Sequence, residues 1–280
     1  MKLCIIAGGG SYPRLVAEGA KRAGVDRVEV LAIKGSTLRS TVRAADNAHW
    51  ITLGGIAKGI RWAGSQGYDG VILAGQINPL SLFRGKFDDE VKSALASLPV
   101  KNAHSVFGKL IEMLESVGLK VLPASLYMDG SIPGVGPLSG RDFTGSERSD
   151  IGHAMRVAAD MGVHDVGQTV MVKSGMVLAV EAFEGTNAAI RRGGKLGGKG
   201  SVLFKAARKN HDMRFDIPVI GLKTLKVMKR AGVTALGFQA GRIVVLDREK
   251  TVAFAKRHGI ALVGVECDLP AAPLRPQGLI

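Results

Sequence analysis

No run of about 18 apolar residues occurs anywhere in the 280-residue chain, so no segment reads as a membrane-crossing helix. The opening Met1-Lys2-Leu3-Cys4-Ile5-Ile6-Ala7 is too short for a signal peptide and runs straight into glycines, so the expected location is cytoplasmic. Cysteine is nearly missing. Cys4 and Cys267 are the whole complement, and without C-x-x-C spacing they offer neither a metal site nor a redox pair; both thiols read as reduced and inert. Only three Tyr and two Trp are present, and none interleaves with basic residues as single-strand binders require for base stacking, so nucleic acid is not expected as a partner. The chain also lacks G-x-x-x-x-G-K-[ST], H-E-x-x-H and G-x-S-x-G, which removes the P-loop, zincin and nucleophile-elbow chemistries.

What is present is apolar bulk and positive charge. A hydrophobic content of 46% at this length supports one large or two ordinary domains with a substantial core. The net charge is +14, and between Ile190 and Arg230 twelve Lys or Arg residues face only Asp212 and Asp216. Anionic partners are expected, among them phosphorylated small molecules and anionic membrane surfaces, because a positive field concentrates either one.

The first half reads as strands alternating with helices. A strand over 3–7 enters Gly8-Gly9-Gly10-Ser11-Tyr12-Pro13 and then a helical spacing that stops at Gly24. Glycines there let backbone N–H groups approach a phosphate at a helix start. The G-x-G-x-x-G pattern is incomplete, since Pro13 takes the place of the third glycine. Strands follow over 27–33, 49–53 and 70–75, with a helix over 56–65. Glu29 lies within the second strand rather than at its end, so the acid that binds an NAD ribose is missing. Gly75, Gln76, Ile77 and Asn78 follow the 70–75 strand, and ligands of open α/β sheets sit beyond such strand ends, so the two glycine turns are expected as neighbours over one crevice. Helices over 88–97 and 104–117 and a strand over 119–122 complete this half, with His104 read as structural. The Gly-, Pro- and Ser-rich stretch after Met128 supplies a linker over 131–140. The expected fold is therefore α/β, a Rossmann-like domain over 1–130 followed by a mixed α/β domain over 141–280.

The second half opens with a helix over 148–161 and a hairpin over 166–183 turning at Lys173-Ser174-Gly175. Its outgoing strand ends at Glu184-Gly185-Thr186-Asn187, where a helix restarts with Thr186 or Asn187 as N-cap. A helix N-terminus attracts anions. Glu181, Glu184, Arg191 and Arg192 lie around it, a mixture that suits a phosphate held with a metal ion and equally suits a capped, solvated surface junction. The glycine-rich, basic stretch 193–200 reads as flexible, either a mobile lid or a disordered loop. A strand over 202–206 carries Lys205. Asp216 precedes a short apolar strand, and Lys205, Arg208, Arg214 and Lys223 around it in sequence would keep its carboxylate ionised, ready to bind a metal or orient a water. Helices over 224–231 and 248–258, strands near 234–238, 242–246 and 260–265, and a loosely held Pro-rich tail end the chain.

Six segments in order, Ile6-Ala-Gly-Gly-Gly-Ser-Tyr-Pro13, Leu73-Ala-Gly-Gln-Ile77, Asp165-Val-Gly-Gln168, the stretch from Val177 to Arg192, Asp212-Met-Arg-Phe-Asp-Ile-Pro-Val-Ile-Gly221 and Gly241-Arg-Ile-Val-Val-Leu-Asp-Arg248, resemble the two-domain, non-calcineurin-like UDP-2,3-diacylglucosamine pyrophosphatases of lipid A biosynthesis. The resemblance implies a Mg2+-dependent hydrolase that cleaves a UDP-linked acylated sugar to UMP and 2,3-diacylglucosamine 1-phosphate, water attacking the sugar-side phosphorus. It implies Asp216 as the essential carboxylate and a substrate cleft between the two domains. Gly8, Gly9, Gly10, Gly75, Gln76, Ile77, Gly185, Thr186, Asn187, Arg191 and Lys205 are expected at the substrate, and Asp216 and Glu184 at the metal. A diacyl substrate further implies peripheral association with the inner membrane, and a homodimer is the expected assembly. Two departures stand out, Asn187 for the family's Asp and Gln76 for its Asn. They keep a non-catalytic nucleotide-sugar or phospholipid binding protein open as the alternative, with an NAD- or FAD-dependent oxidoreductase third.

Overall fold

The computed structural model describes residues 1–76, 89–98, 103–164, 166–207, 212, 214–215 and 217–267. Ile77, Asn78, Asp216, Arg208 and the Pro-rich tail, like the side chain of His104, lie outside the described residues. The chain divides into two compact units, Met1–Asp129 with Asp212–Asp216, and Gly130–His211 with Ile217–Ile280.

Unit 1 is a parallel sheet of β1 (Lys2–Ala7), β2 (Arg27–Ile33), β3 (Asn47–Ile51) and β4 (Gly70–Ala74) in the order β3-β2-β1-β4. Parallel strands are covered on both faces, which explains why Leu3 to Ala7 and Val28 to Ile33 read as apolar runs interrupted only by Glu29, and all of these side chains are buried. Glu29 is buried at the start of β2, where Tyr68 donates to it at 2.8 Å and Arg27 pairs with it at 2.6 Å. The helices are α1 (Tyr12–Arg22), α2 (Arg39–Ala44), α3 (Ile56–Gly64), α4 (Asp89–Ala96) and α5 (Ala103–Ser116). The short α2 was not expected from the sequence, because six residues carry too little periodicity to register. The strand expected over 119–122 is reduced to a single parallel bridge, Val71 with Val121. Phe215 returns to this unit and stacks on Phe107 with ring centroids 5.3 Å apart, beside an Arg214–Glu115 ion pair. Cys4 is fully buried, and burial pushes its thiol up to about 12, too high for a nucleophile.

Unit 2 holds a mixed sheet of β5 (Gly136–Pro137), β6 (Thr169–Lys173), β7 (Met176–Val180), β8 (Ser201–Lys205), β10 (Val233–Gln239) and β12 (Ala261–Val265), ordered β5-β12-β10-β8-β6-β7. β9 (Val219–Ile220) and β11 (Val244–Val245) form a separate parallel pair. β10 runs parallel to β8 and β12, whereas β6 is antiparallel to β7 and β8. The 131–140 stretch expected as a linker carries β5, whose residues pair with Val263 and Gly264, and the Ser139 hydroxyl accepts from the Leu262 N–H at 2.9 Å.

Helix α6 (Gly145–Val163) begins three residues earlier than the sequence periodicity suggests, because Thr144 and Glu147 form a capping box. Arg141 grips both Glu147 oxygens at 2.8 and 3.0 Å and the Thr234 hydroxyl donates at 2.7 Å. Those donors, Arg141 foremost, hold the Glu147 carboxyl at about 2.

Helix α7 (Thr186–Gly197) corrects, as far as Gly197, the expectation of a flexible stretch over 193–200. Its glycines are there for contact rather than mobility. A Cβ at Gly193 would stand 2.4 Å from Met171 Sδ, at Gly194 2.5 Å from Ala231 Cβ and at Gly197 2.2 Å from Leu178 Cδ1. The helix can lie against β6, β7 and α8 (Leu222–Ala231) only where those positions have no side chain. A final helix, α9 (Arg248–Arg257), precedes β12.

Candidate active site

In unit 1 the strand order reverses between β1 and β4, with the chain moving outward to β2 and β3 on one side. The crevice beyond the carboxyl ends of such a pair is where open α/β sheets bind ligands. Both glycine turns lie there. The Gly9 N–H donates to the Gln76 carbonyl at 2.7 Å and the Gln76 N–H to the Gly9 carbonyl at 3.0 Å, so Gly8, Gly9, Gly10, Gly75 and Gln76 form one patch of backbone. Gly75 has φ +93°, and a Cβ on it would meet Gly9 O at 2.7 Å and Pro13 Cγ at 2.8 Å. Gly10, with φ +85°, has no atom within 4 Å of the corresponding Cβ position and borders open space. Ser11 is the N-cap of α1 and makes no side-chain capping bond, with Pro following in the first turn. Thr37, which the sequence reading passed over, ties this end of the sheet together; its hydroxyl accepts from the Ile33 N–H at 2.8 Å and donates to the Ala7 carbonyl.

In unit 2 the residues gather around the start of α7. The N-cap is Gly185, at φ 82°, and Thr186 and Asn187 are the first two helical residues rather than the cap. Thr186 is withdrawn from capping because its hydroxyl is used elsewhere. It donates to both carboxylate oxygens of Glu181 at 2.9 Å and accepts from Lys205 Nζ at 2.8 Å. Lys205, at the end of β8, is 5% exposed. Two buried polar atoms in the same neighbourhood, Asn187 Oδ1 and the hydroxyl of Thr169, have no hydrogen-bond partner among the described residues, and Thr169 is the strand partner of Lys205. A buried acceptor without a donor costs about 1–3 kcal/mol unless a ligand or water supplies one.

Glu184 does not join this group. Its carboxylate accepts from Arg192 at 2.6 Å and from the Ala182 N–H at 3.2 Å, and Arg192 holds it below the usual carboxylate range. Arg191 is exposed on α7. Among the described residues no three His, Cys, Asp or Glu side chains converge as a metal site. Of the expected site residues, the structure therefore assembles Gly8, Gly9, Gly10, Gly75 and Gln76 in one unit, and Gly185, Thr186, Asn187 and Lys205 in the other. Glu181 belongs with the latter set; the signal was its spacing of five from Thr186 across a glycine turn.

The family model for the LpxI N-terminal domain matches residues 2–131, and that for the LpxI C-terminal domain matches residues 134–263. The chain belongs to the LpxI family. Among curated relatives, it is 30% identical over 278 residues to the UDP-2,3-diacylglucosamine pyrophosphatase LpxI of Caulobacter vibrioides, covering 95% of this chain and 98% of that protein. Both groups of residues just described, the switch-point glycines and the Thr186–Lys205 cluster, fall inside the LpxI-matched segments.

Proposed function

We propose that this chain hydrolyses the pyrophosphate bond of UDP-2,3-diacylglucosamine, releasing UMP and 2,3-diacylglucosamine 1-phosphate in lipid A biosynthesis. The observation that carries the reaction is the match to the Caulobacter vibrioides enzyme over nearly the whole length of both chains. The geometry supports a place for the substrate's charge. A pyrophosphate diester carries two negative charges, and further charge develops as the anhydride breaks, so the reaction calls for fixed cations and N–H donors in a dry setting. Lys205 is such a cation, buried beside the uncapped N-terminus of α7, whose dipole favours an anion. The glycine turns after β1 and β4 offer backbone that a nucleotide can approach closely. The unpartnered oxygen of Asn187 accepts rather than donates, which suits a sugar hydroxyl or an amide N–H of the substrate.

Asp216 is the carboxylate that orients the attacking water in this reading. The oxygen of that water joins the sugar-side phosphorus and the anhydride oxygen departs with UMP. Glu184, committed to Arg192, is a poor choice of metal ligand, so a Mg2+ requirement rests on Asp216. Mg2+ is commonly held by one or two carboxylates together with substrate phosphates, and it would neutralise phosphate charge when bound. UMP release should be metal-dependent in the native protein and abolished in Asp216→Ala; equal release from both proteins would refute the assignment of Asp216.

Peripheral association with an anionic inner leaflet completes the reading. No helix among the described residues is long and apolar enough to cross a membrane. Phe183 and Leu196 are 75% and 70% exposed beside Arg191, Arg192 and Lys195, a combination that can seat a surface on anionic lipid. Flotation with phosphatidylglycerol vesicles should carry the protein upward; a protein left wholly in the soluble fraction at low salt would end this part of the proposal.

A further inference from the structure

We propose that Glu181 is a positioning residue for the reaction, orienting the Thr186 hydroxyl and, through it, the ammonium of Lys205. The inference rests on the reading above that Lys205 meets the substrate's phosphates. Glu181 follows directly on β7 and its backbone is pinned from two directions. Its N–H donates to the Thr169 carbonyl at 2.8 Å, and its carbonyl lies so close to Gly167 that a Cβ there would come within 1.9 Å of it. The carboxylate is thus held at one point of the fold, 14% exposed, facing the start of α7.

The polarity of the chain of hydrogen bonds follows from proton counting. A hydroxyl has one proton and two lone pairs, and an ionised carboxylate can only accept. With both Glu181 oxygens 2.9 Å from Thr186 Oγ1, the single Thr186 proton is committed to Glu181. Its lone pairs are then left for Lys205 Nζ at 2.8 Å. Glu181 itself is 4.0 Å from Nζ, beyond hydrogen-bond distance, so its pull on Lys205 is coulombic, and the Thr186 hydroxyl is the hydrogen-bonding link between the carboxylate and the ammonium. Without the carboxylate, the hydroxyl is free to rotate its proton toward the ammonium, where it repels. A cation misplaced by about 1 Å can lose two orders of magnitude in rate.

The experiment is a double-mutant cycle on kcat/KM for UDP-2,3-diacylglucosamine, with UMP release as readout and far-UV circular dichroism as the folding check. K205M should lose most of the activity. E181L should lose about tenfold or more, the scale at which partners that orient a liganding group act, whereas E181Q, which keeps an acceptor for Thr186 but loses the charge, should lose less than E181L. The decisive comparison is E181L in the K205M background, where it should cost nothing further, because a residue that works through Lys205 has nothing left to position. An equal loss from E181L in both backgrounds would mean a structural role, and full activity in E181L would mean no role; either result overturns the proposal. If E181L does not fold, T186V breaks the same link and carries the cycle, with T186S as the variant that restores it. Native activity in K205M would instead refute the reading of Lys205 itself, and the proposal with it.

Discussion

Two glycines at the end of the unit 1 sheet share a positive φ and differ in surroundings, which separates strain from crowding. Gly10 has φ +85° and open space at its Cβ position; Gly75 has φ +93° and backbone or Pro13 atoms at 2.7–2.9 Å. Alanine at either position takes a left-handed conformation that costs an L-residue about 1–2 kcal/mol. Only at position 75 must Gly8, Gly9 and Pro13 also retreat, an overpacking cost of about 1–3 kcal/mol. At about 4 °C per kcal/mol for a unit of this size, Gly75→Ala should melt roughly 4–12 °C below Gly10→Ala. Both tryptophans, Trp50 and Trp62, belong to unit 1, so intrinsic fluorescence reports the transition that matters. In the same pair, Gly10→Ala should raise KM for substrate while costing only the backbone strain of about 1–2 kcal/mol, because its methyl group projects into the open space beside the glycine turn. Coincident melting curves for the two variants would refute the claim that Gly75 is a close-approach position.

Glu147→Gln should destabilise the protein by about 2 kcal/mol at pH 7; a carboxyl lowered from 4.5 to about 2 would give about 3 kcal/mol, reduced because Arg141 is partly exposed. Since the folded-state value is depressed, that stabilisation is complete above about 4.5 and is lost as pH falls through about 2, so the gap between variant and native protein should narrow on acidification. Urea unfolding followed by circular dichroism at neutral and acid pH checks it, and a gap that stays constant would contradict the assignment. Glu184→Gln should retain Mg2+-stimulated UMP release within about tenfold of native, because its carboxylate serves the exposed Arg192; loss of metal stimulation in that variant would restore Glu184 as a ligand.

The alternation of apolar runs with glycine turns was sufficient to read a Rossmann-like first half, since strands buried on both faces leave an unmistakable local pattern. The meeting of Gly8–Gly10 with Gly75 and Gln76 was also foreseeable, because β1 and β4 have to deliver their ends to the same edge once they pair. Local pattern failed where glycine had two meanings. Gly193, Gly194 and Gly197 read as flexibility and proved to be helix–sheet and helix–helix contacts, a distinction that depends on Met171, Ala231 and Leu178, far away in the chain. Charge was ambiguous in the same way. Glu181 and Glu184 are three residues apart and chemically alike, yet one faces the buried Thr186–Lys205 pair and the other an exposed arginine. The sequence by itself determined the fold class, the family and the residue types available for phosphate chemistry. Only the tertiary structure decided which carboxylate has a buried ammonium to direct, because that depends on antiparallel strands and a helix start converging from separate parts of the chain.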